Sequence, residues 1–114
     1  MRASLFFTVA GLAAARNWDI KVGDGDNEFD PDTIKPAVGD TVSFHLFPNH
    51  DVVAGSYDSP CQPTNDGFYS GPYSGTDNGN KRFVVNVTST SPVYYYSSVG
   101  RDCQSGMVGG WNLP

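Results

Sequence analysis

The chain has 114 residues, 39% of them hydrophobic and 17% charged, with seven Lys and Arg against twelve Asp and Glu and a net charge of −5. That length suits one domain. The acidic balance repels phosphate backbones and anionic lipid, which argues against nucleic-acid and membrane-surface binding.

The first segment has the layout of a secretory signal. Arg2 supplies the positive start, Leu5 to Leu12 the short apolar run, and Ala13-Ala14-Ala15 the small residues a signal peptidase requires. Cleavage is expected near Ala15 or Arg16, which assigns residues 1–15 to the signal peptide and 16–114 to the domain. The alternative is an N-terminal helix packed on the domain. The apolar run is too short to span a bilayer, and no later stretch is longer.

Beyond it the helical period is nearly absent and strand alternation recurs. Trp18, Ile20 and Val22 alternate with Asp19 and Lys21. Val42, Phe44 and Leu46 alternate with Ser43, His45 and Phe47, which makes His45 a solvent-facing residue. Phe83, Val85 and Val87 alternate with Val84 and Asn86. Val93 to Ser97 is β-rich, and Met107 to Leu113 reads as a closing strand. Turn clusters at Gly23 to Asn27, Pro36 to Asp40 and Ser89 to Pro92 separate these runs. Short strands without intervening helices predict an all-β sandwich or barrel. The segment from Gly55 to Asn80, rich in Gly, Ser, Pro, Asp and Asn, reads as a long loop that needs an anchor. The C-terminus, Asn112-Leu113-Pro114, carries no Ser/Thr-rich stalk or hydrophobic tail, so no lipid anchor is expected.

Cys61 and Cys103 are the only cysteines. In a secreted chain an even pair reads as a disulfide, with two free thiols as the alternative. Such a bridge closes a loop of 42 residues (103 − 61) and is worth at most about 4 kcal/mol by chain entropy.

The end of the chain, Tyr94-Tyr95-Tyr96-Ser97-Ser98-Val99-Gly100-Arg101-Asp102-Cys103-Gln104-Ser105-Gly106-Met107, resembles the cupredoxins, specifically plant phytocyanins and fungal extracellular cupredoxin-like proteins. Asn49-His50-Asp51-Val52-Val53, Val38 to Phe44, Ser59-Pro60-Cys61 and Gly67 to Gly71 extend the likeness over nearly the whole domain. The resemblance implies a Greek-key β-sandwich of plastocyanin-like type, with its structural disulfide falling on Cys61 and Cys103. It also implies a blue-copper site at one end of the sandwich, with two imidazoles and a thiolate in a trigonal plane and a weak axial thioether. Carried over residue by residue, His50 falls on the upstream histidine and Met107 on the axial position. Ser97 occupies the cysteine position and Asp102 that of the second histidine. The two ligands that define the site are replaced, so no cofactor is expected. His50, Asp102 and Met107 remain as vestigial metal candidates, with weakly held copper as the alternative.

Other signals are weaker. Asp24, Asp26, Glu28, Asp30 and Asp32 fall at every second position, but no glycine sits sixth and no helices flank them, so they read as a solvated acidic turn rather than an EF-hand. Asn86-Val87-Thr88 is a glycosylation sequon with Asn86 facing water. Tyr57, Phe68, Tyr69 and Tyr73 could stack on sugar rings. Copper-dependent polysaccharide oxygenases need an N-terminal histidine, which no cleavage near residue 15 exposes. A Ser-His-Asp hydrolase needs an activated serine and an oxyanion hole, and His50 and Asp51, neighbours on a strand, would point apart.

The sequence therefore predicts a secreted, monomeric, non-enzymatic scaffold or interaction domain acting outside the cell or at the cell wall. Its partner would be an extracellular protein or a cell-wall glycan. The alternatives are a copper-sequestering module and a glycan-binding module.

Overall fold

The computed structural model describes residues 14–71 and 74–114. The signal-peptide assignment, apart from Ala14 and Ala15, lies outside the described residues, as does Tyr73. Eight strands among them form two four-stranded sheets. The first has the order β2-β1-β4-β6, with β1 Asn17–Val22, β2 Phe29–Asp30, β4 Thr41–Leu46 and β6 Arg82–Asn86. The second has the order β3-β8-β7-β5, with β3 Thr33–Ile34, β5 Val53–Gly55, β7 Val93–Tyr96 and β8 Val108–Trp111. This is the Greek-key sandwich expected.

The alternation along β1 and β4 sets the first sheet's inner face. The two strands run parallel in a register that aligns Trp18 with Val42, Ile20 with Phe44 and Val22 with Leu46. A one-residue slip would turn each of these side chains to water, so burial fixes the register. Antiparallel β6 brings Phe83 opposite Phe44 and Val85 opposite Val42. From the other sheet, Tyr95 and Trp111 fill the space between. Tyr95 meets Phe44 edge-on at 5.1 Å, and Trp111 stacks on Phe68 at 5.9 Å. Burying a side chain such as Phe44 contributes about 1.5–3 kcal/mol.

The glycines of β8 have a packing cause. A Cβ on Gly109 would lie 2.6 Å from the Tyr95 ring and 2.8 Å from the Asp32 carbonyl oxygen, so β3 can approach only a bare backbone there. Asp40 organises the opposite edge. Its carboxylate accepts hydrogen bonds from Trp18 Nε1 at 3.0 Å, from the Arg16 N–H at 2.9 Å and from the Ala37 N–H at 2.9 Å. These donors, Trp18 foremost, hold its pKa below the ordinary carboxylate value.

Several local expectations need correction. His45 does not simply face solvent. It is half-buried on the outer face of β4, with Nε2 2.8 Å from Asp19 Oδ1, and this bond holds the Asp19 pKa below its usual range. His50 and Asp51 lie not on a strand but in the connection between β4 and β5. The long loop is interrupted by a bridge between Val53 and Tyr69 and by a short 3-10 turn, Asp77–Gly79. Phe68 is not free to meet a sugar, because it packs against Phe44, Phe83 and Trp111. The acidic run is exposed as expected, although Phe29–Asp30 within it pairs with β1.

Candidate functional site

Three segments meet at one end of the sandwich. The β4–β5 connection carries His50 and Asp51 across from one sheet to the other. Ser97 follows the last residue of β7, and the turn that leads to β8 carries Asp102 and Met107. Because Tyr96 pairs with both Val53 and Val108, the starts of β5 and β8 and the end of β7 lie side by side.

The turn is held by its own backbone. Asp102 N–H donates to Val99 O at 3.0 Å, Met107 N–H to Asp102 O at 2.9 Å, and Ser97 N–H to Met107 O at 3.2 Å. Asp51, only 3% exposed, ties the connection to the turn by accepting from Ser98 N–H and Ser98 Oγ, each at 2.6 Å. Sequence reasoning missed this clamp. Its one signal was a second ionisable group beside His50.

At the centre sits the Asp102 carboxylate. Its Oδ2 lies 2.8 Å from His50 Nδ1 and accepts the Ser97 hydroxyl at 2.8 Å. A carboxylate can only accept, so Nδ1 carries the imidazole proton. The Ser97 hydroxyl, fully buried, is satisfied on both sides, since its oxygen accepts the Asp51 N–H at 3.4 Å. The outer edge of the His50 ring lies against Gly23, where any Cβ would collide with it. Gly23 has φ +74°, which also favours glycine. Met107 is buried in the main core and joins the cluster through its backbone. Ser97 and His50 are thus both brought into contact with Asp102.

This donor set does not fit a blue copper ion. A neutral hydroxyl stands where a thiolate is required, and a carboxylate where an imidazole is. The side chains also satisfy one another at hydrogen-bond distance, so they converge on Asp102 Oδ2 rather than on a metal-sized gap. The arrangement is equally unlike a hydrolase triad. The serine proton goes to aspartate, not to histidine, so no base activates Ser97. Among the described residues, no group of three or more His, Cys, Asp or Glu is placed to hold a metal.

The outer face of the second sheet is covered differently. Cys61 and Cys103 are disulfide-bonded, with Cα atoms 5.8 Å apart, and the bridge packs with Val53 and Tyr96. It fastens the long loop and the Asp102 turn over that face. Beside it runs a groove of about 590 Å³ whose walls include Tyr57, Tyr94, Pro60, Val108 and Leu113. Tyr57 is 76% exposed, and its ring centroid is 5.9 Å from that of Tyr94. Asn86 is exposed at the end of β6.

A two-sheet sandwich closed by a disulfide, with a histidine loop and a long β7–β8 turn meeting at one end, is a β-sandwich of plastocyanin-like type. The comparisons make that class specific. The chain is 40% identical over 108 residues to a protein of Arthroderma benhamiae named as a probable GPI-anchored cupredoxin, covering 93% of this chain and 56% of that protein. It is also 40% identical over 102 residues to an extracellular serine-rich protein of the same organism, covering 87% of this chain and 40% of that one. It therefore spans about half the length of these relatives or less. Among solved structures, a purple cupredoxin from Nitrosopumilus maritimus superposes with a TM-score of 0.62 at 19% identity, over 82% of this chain and 96% of that one. No family model matches the chain. The chain belongs to the cupredoxin family. It is a secreted protein, extracellular or associated with the cell wall.

Proposed function

We propose that this chain is a non-enzymatic extracellular module of cupredoxin fold, exported by residues 1–15 as a signal peptide, in which a hydrogen-bonded cluster has taken over the copper position. The observation that carries this reading is the shared oxygen of Asp102, which binds His50 and Ser97 together. His50, Asp102 and Met107 then serve the loop geometry instead of a metal. The scaffold presents its surfaces to extracellular partners, and Asn86 is its glycan attachment point. Copper titration of the purified protein, followed by visible absorption and metal content, tests the reading. The expected outcome is no intense charge-transfer band and no stoichiometric copper after gel filtration. An intense blue protein would overturn it. Colourless but stoichiometric copper would favour the sequestering alternative, in which the imidazole of His50 and the carboxylate of Asp102 hold the ion.

The tyrosine-lined groove favours a second reading, in which the module binds a cell-wall glycan. Tyr57 and Tyr94 offer aromatic faces for the apolar face of a sugar ring. Co-sedimentation with insoluble cell-wall polysaccharide should then fall about tenfold in Tyr57→Ala, a loss of about 1.4 kcal/mol, while the melting temperature holds. Equal sedimentation of both proteins, or of neither, would rule this reading out.

A further inference from the structure

Among the described residues, Arg16 is the first that is tied into the domain, and it is tied at three points. Its N–H donates to Asp40 Oδ1 at 2.9 Å. Its carbonyl accepts the Thr41 N–H at 3.0 Å. Its guanidinium lies 3.6 Å over the Trp18 ring. Ala14 and Ala15, just before it, are exposed. In sequence, Ala13-Ala14-Ala15 is the small-x-small pattern that signal peptidase cuts after. Chain chemistry and fold thus change at the same peptide bond.

We propose that export cuts the Ala15–Arg16 bond and that the new Arg16 α-ammonium docks on Asp40 as an ion pair that only the processed chain possesses. The inference rests on the secretory reading of residues 1–15. A signal peptidase hydrolyses the bond with one water, leaving a carboxylate on Ala15 and an amine on Arg16 that takes up a proton. The nitrogen already stands at hydrogen-bond distance from a buried carboxylate oxygen. Cleavage replaces its single amide proton with three and adds a full positive charge, which strengthens the bond to Asp40. Asp40's remaining donors, Trp18 Nε1 and the Ala37 N–H, hold its carboxylate in place.

Among the described residues, Asp40 is the charged side chain hydrogen-bonded to this nitrogen. Arg16's own guanidinium is drawn onto Trp18. Asp19, further along β1, is bound to His45 of β4. Thr41, which starts β4, and Asn86 and Val87, at the end of β6, are neutral. Asp40 is therefore the charge that sets the ammonium's behaviour. An ammonium beside a carboxylate titrates above the ordinary α-amine range of about 7.7–8.0. Its stabilising effect is complete below that range and lost as pH rises through the raised folded value.

The test begins with the full chain secreted from a eukaryotic host, its N-terminus read by intact mass. A start at Arg16 is expected. A start at any other residue overturns the inference while leaving the signal reading intact, and an uncut chain overturns both. The mature protein is then compared with a refolded version that carries one extra glycine before Arg16. The mature form should melt higher at pH 6–7, and the difference should vanish by about pH 10 as the ammonium loses its proton. Its α-amine should titrate about one unit or more above the range for free peptides, and Asp40→Asn should abolish that shift. The extended chain reads the same contact without touching Asp40, so it decides the matter if Asp40→Asn fails to fold. Identical melting profiles for the mature and extended chains, or an ordinary α-amine titration, would overturn the inference.

Discussion

Ser97→Cys combined with Asp102→His is expected to turn a colourless protein intensely blue when copper is added. The two changes supply a thiolate and a second imidazole at positions already in contact with each other, the second of them also in contact with His50, and Met107 follows in the same turn. Sulfur-to-metal charge transfer should then give a strong visible band absent from the unmodified protein. Without metal, the double variant should be less stable than the parent, because removing the carboxylate leaves the buried His50 Nδ1–H without an acceptor, at about 1–3 kcal/mol. Copper should restore that loss, since a ligand that binds only the folded state raises its melting temperature. Ser97→Cys alone should give a weaker band, because Asp102 offers a hard oxygen to an ion that prefers nitrogen and sulfur. The new thiol stands near the Cys103 bridge, so the disulfide must be checked by mass before colour is interpreted. A double variant that is colourless with its Cys61–Cys103 bond intact would mean that these positions no longer match copper geometry.

Replacing Cys61 and Cys103 with serine is expected to cost about 2–5 kcal/mol, and for a domain of this size to lower the melting temperature by about 10 °C or more. The bridge spans 42 residues, and the long loop's other ties run to the edge strand β5 and its approach. Those ties include the Thr64 and Phe68 backbone bonds to Ala54 and the bridge from Tyr69 to Val53. Without the disulfide, the Val53–Tyr96 cluster loses its cover, and the turn that carries Asp102 loses its fastening at the next residue. Denaturant unfolding of the oxidised parent and the double serine variant measures the difference. A change below about 1 kcal/mol would mean that the loop is held by its other contacts.

The longer strands were legible because burial imposes a strict period of two. Ile20, Val22, Phe44 and Leu46 face inward for the same reason that they alternate in sequence. The short strands β2, β3 and β5 were not, since two or three residues cannot display a period. Phe29 and Ile34 belong to them through their partners, β1 and β8, and that pairing is a property of the whole fold. The family likeness singled out His50, Ser97 and Asp102, but not what they do to one another. His50 and Asp102 are 52 residues apart, and their contact depends on the placement of two separate loops. Nor could alternation reveal that His45, correctly placed on the outer face of its strand, is bound to Asp19. That bond follows from the parallel pairing of β1 with β4, which alternation alone does not specify.

The pairing of β3 with β8 has a consequence for how the protein is made. Thr33–Ile34 has Gly110 and Trp111 as its register partners, so a strand synthesised in the first third of the chain waits for residues at its far end. Trp111 is also part of the aromatic core. Until those residues emerge, the second sheet lacks the strand that joins β3 to β7, and the hydrophobic interior stays open. Contacts so distant in sequence form slowly. The sandwich of this topology therefore closes only once Val108–Trp111 is available, and the Cys61–Cys103 bridge, whose second cysteine stands just ahead of β8 in sequence, fastens the same late-arriving segment to the long loop.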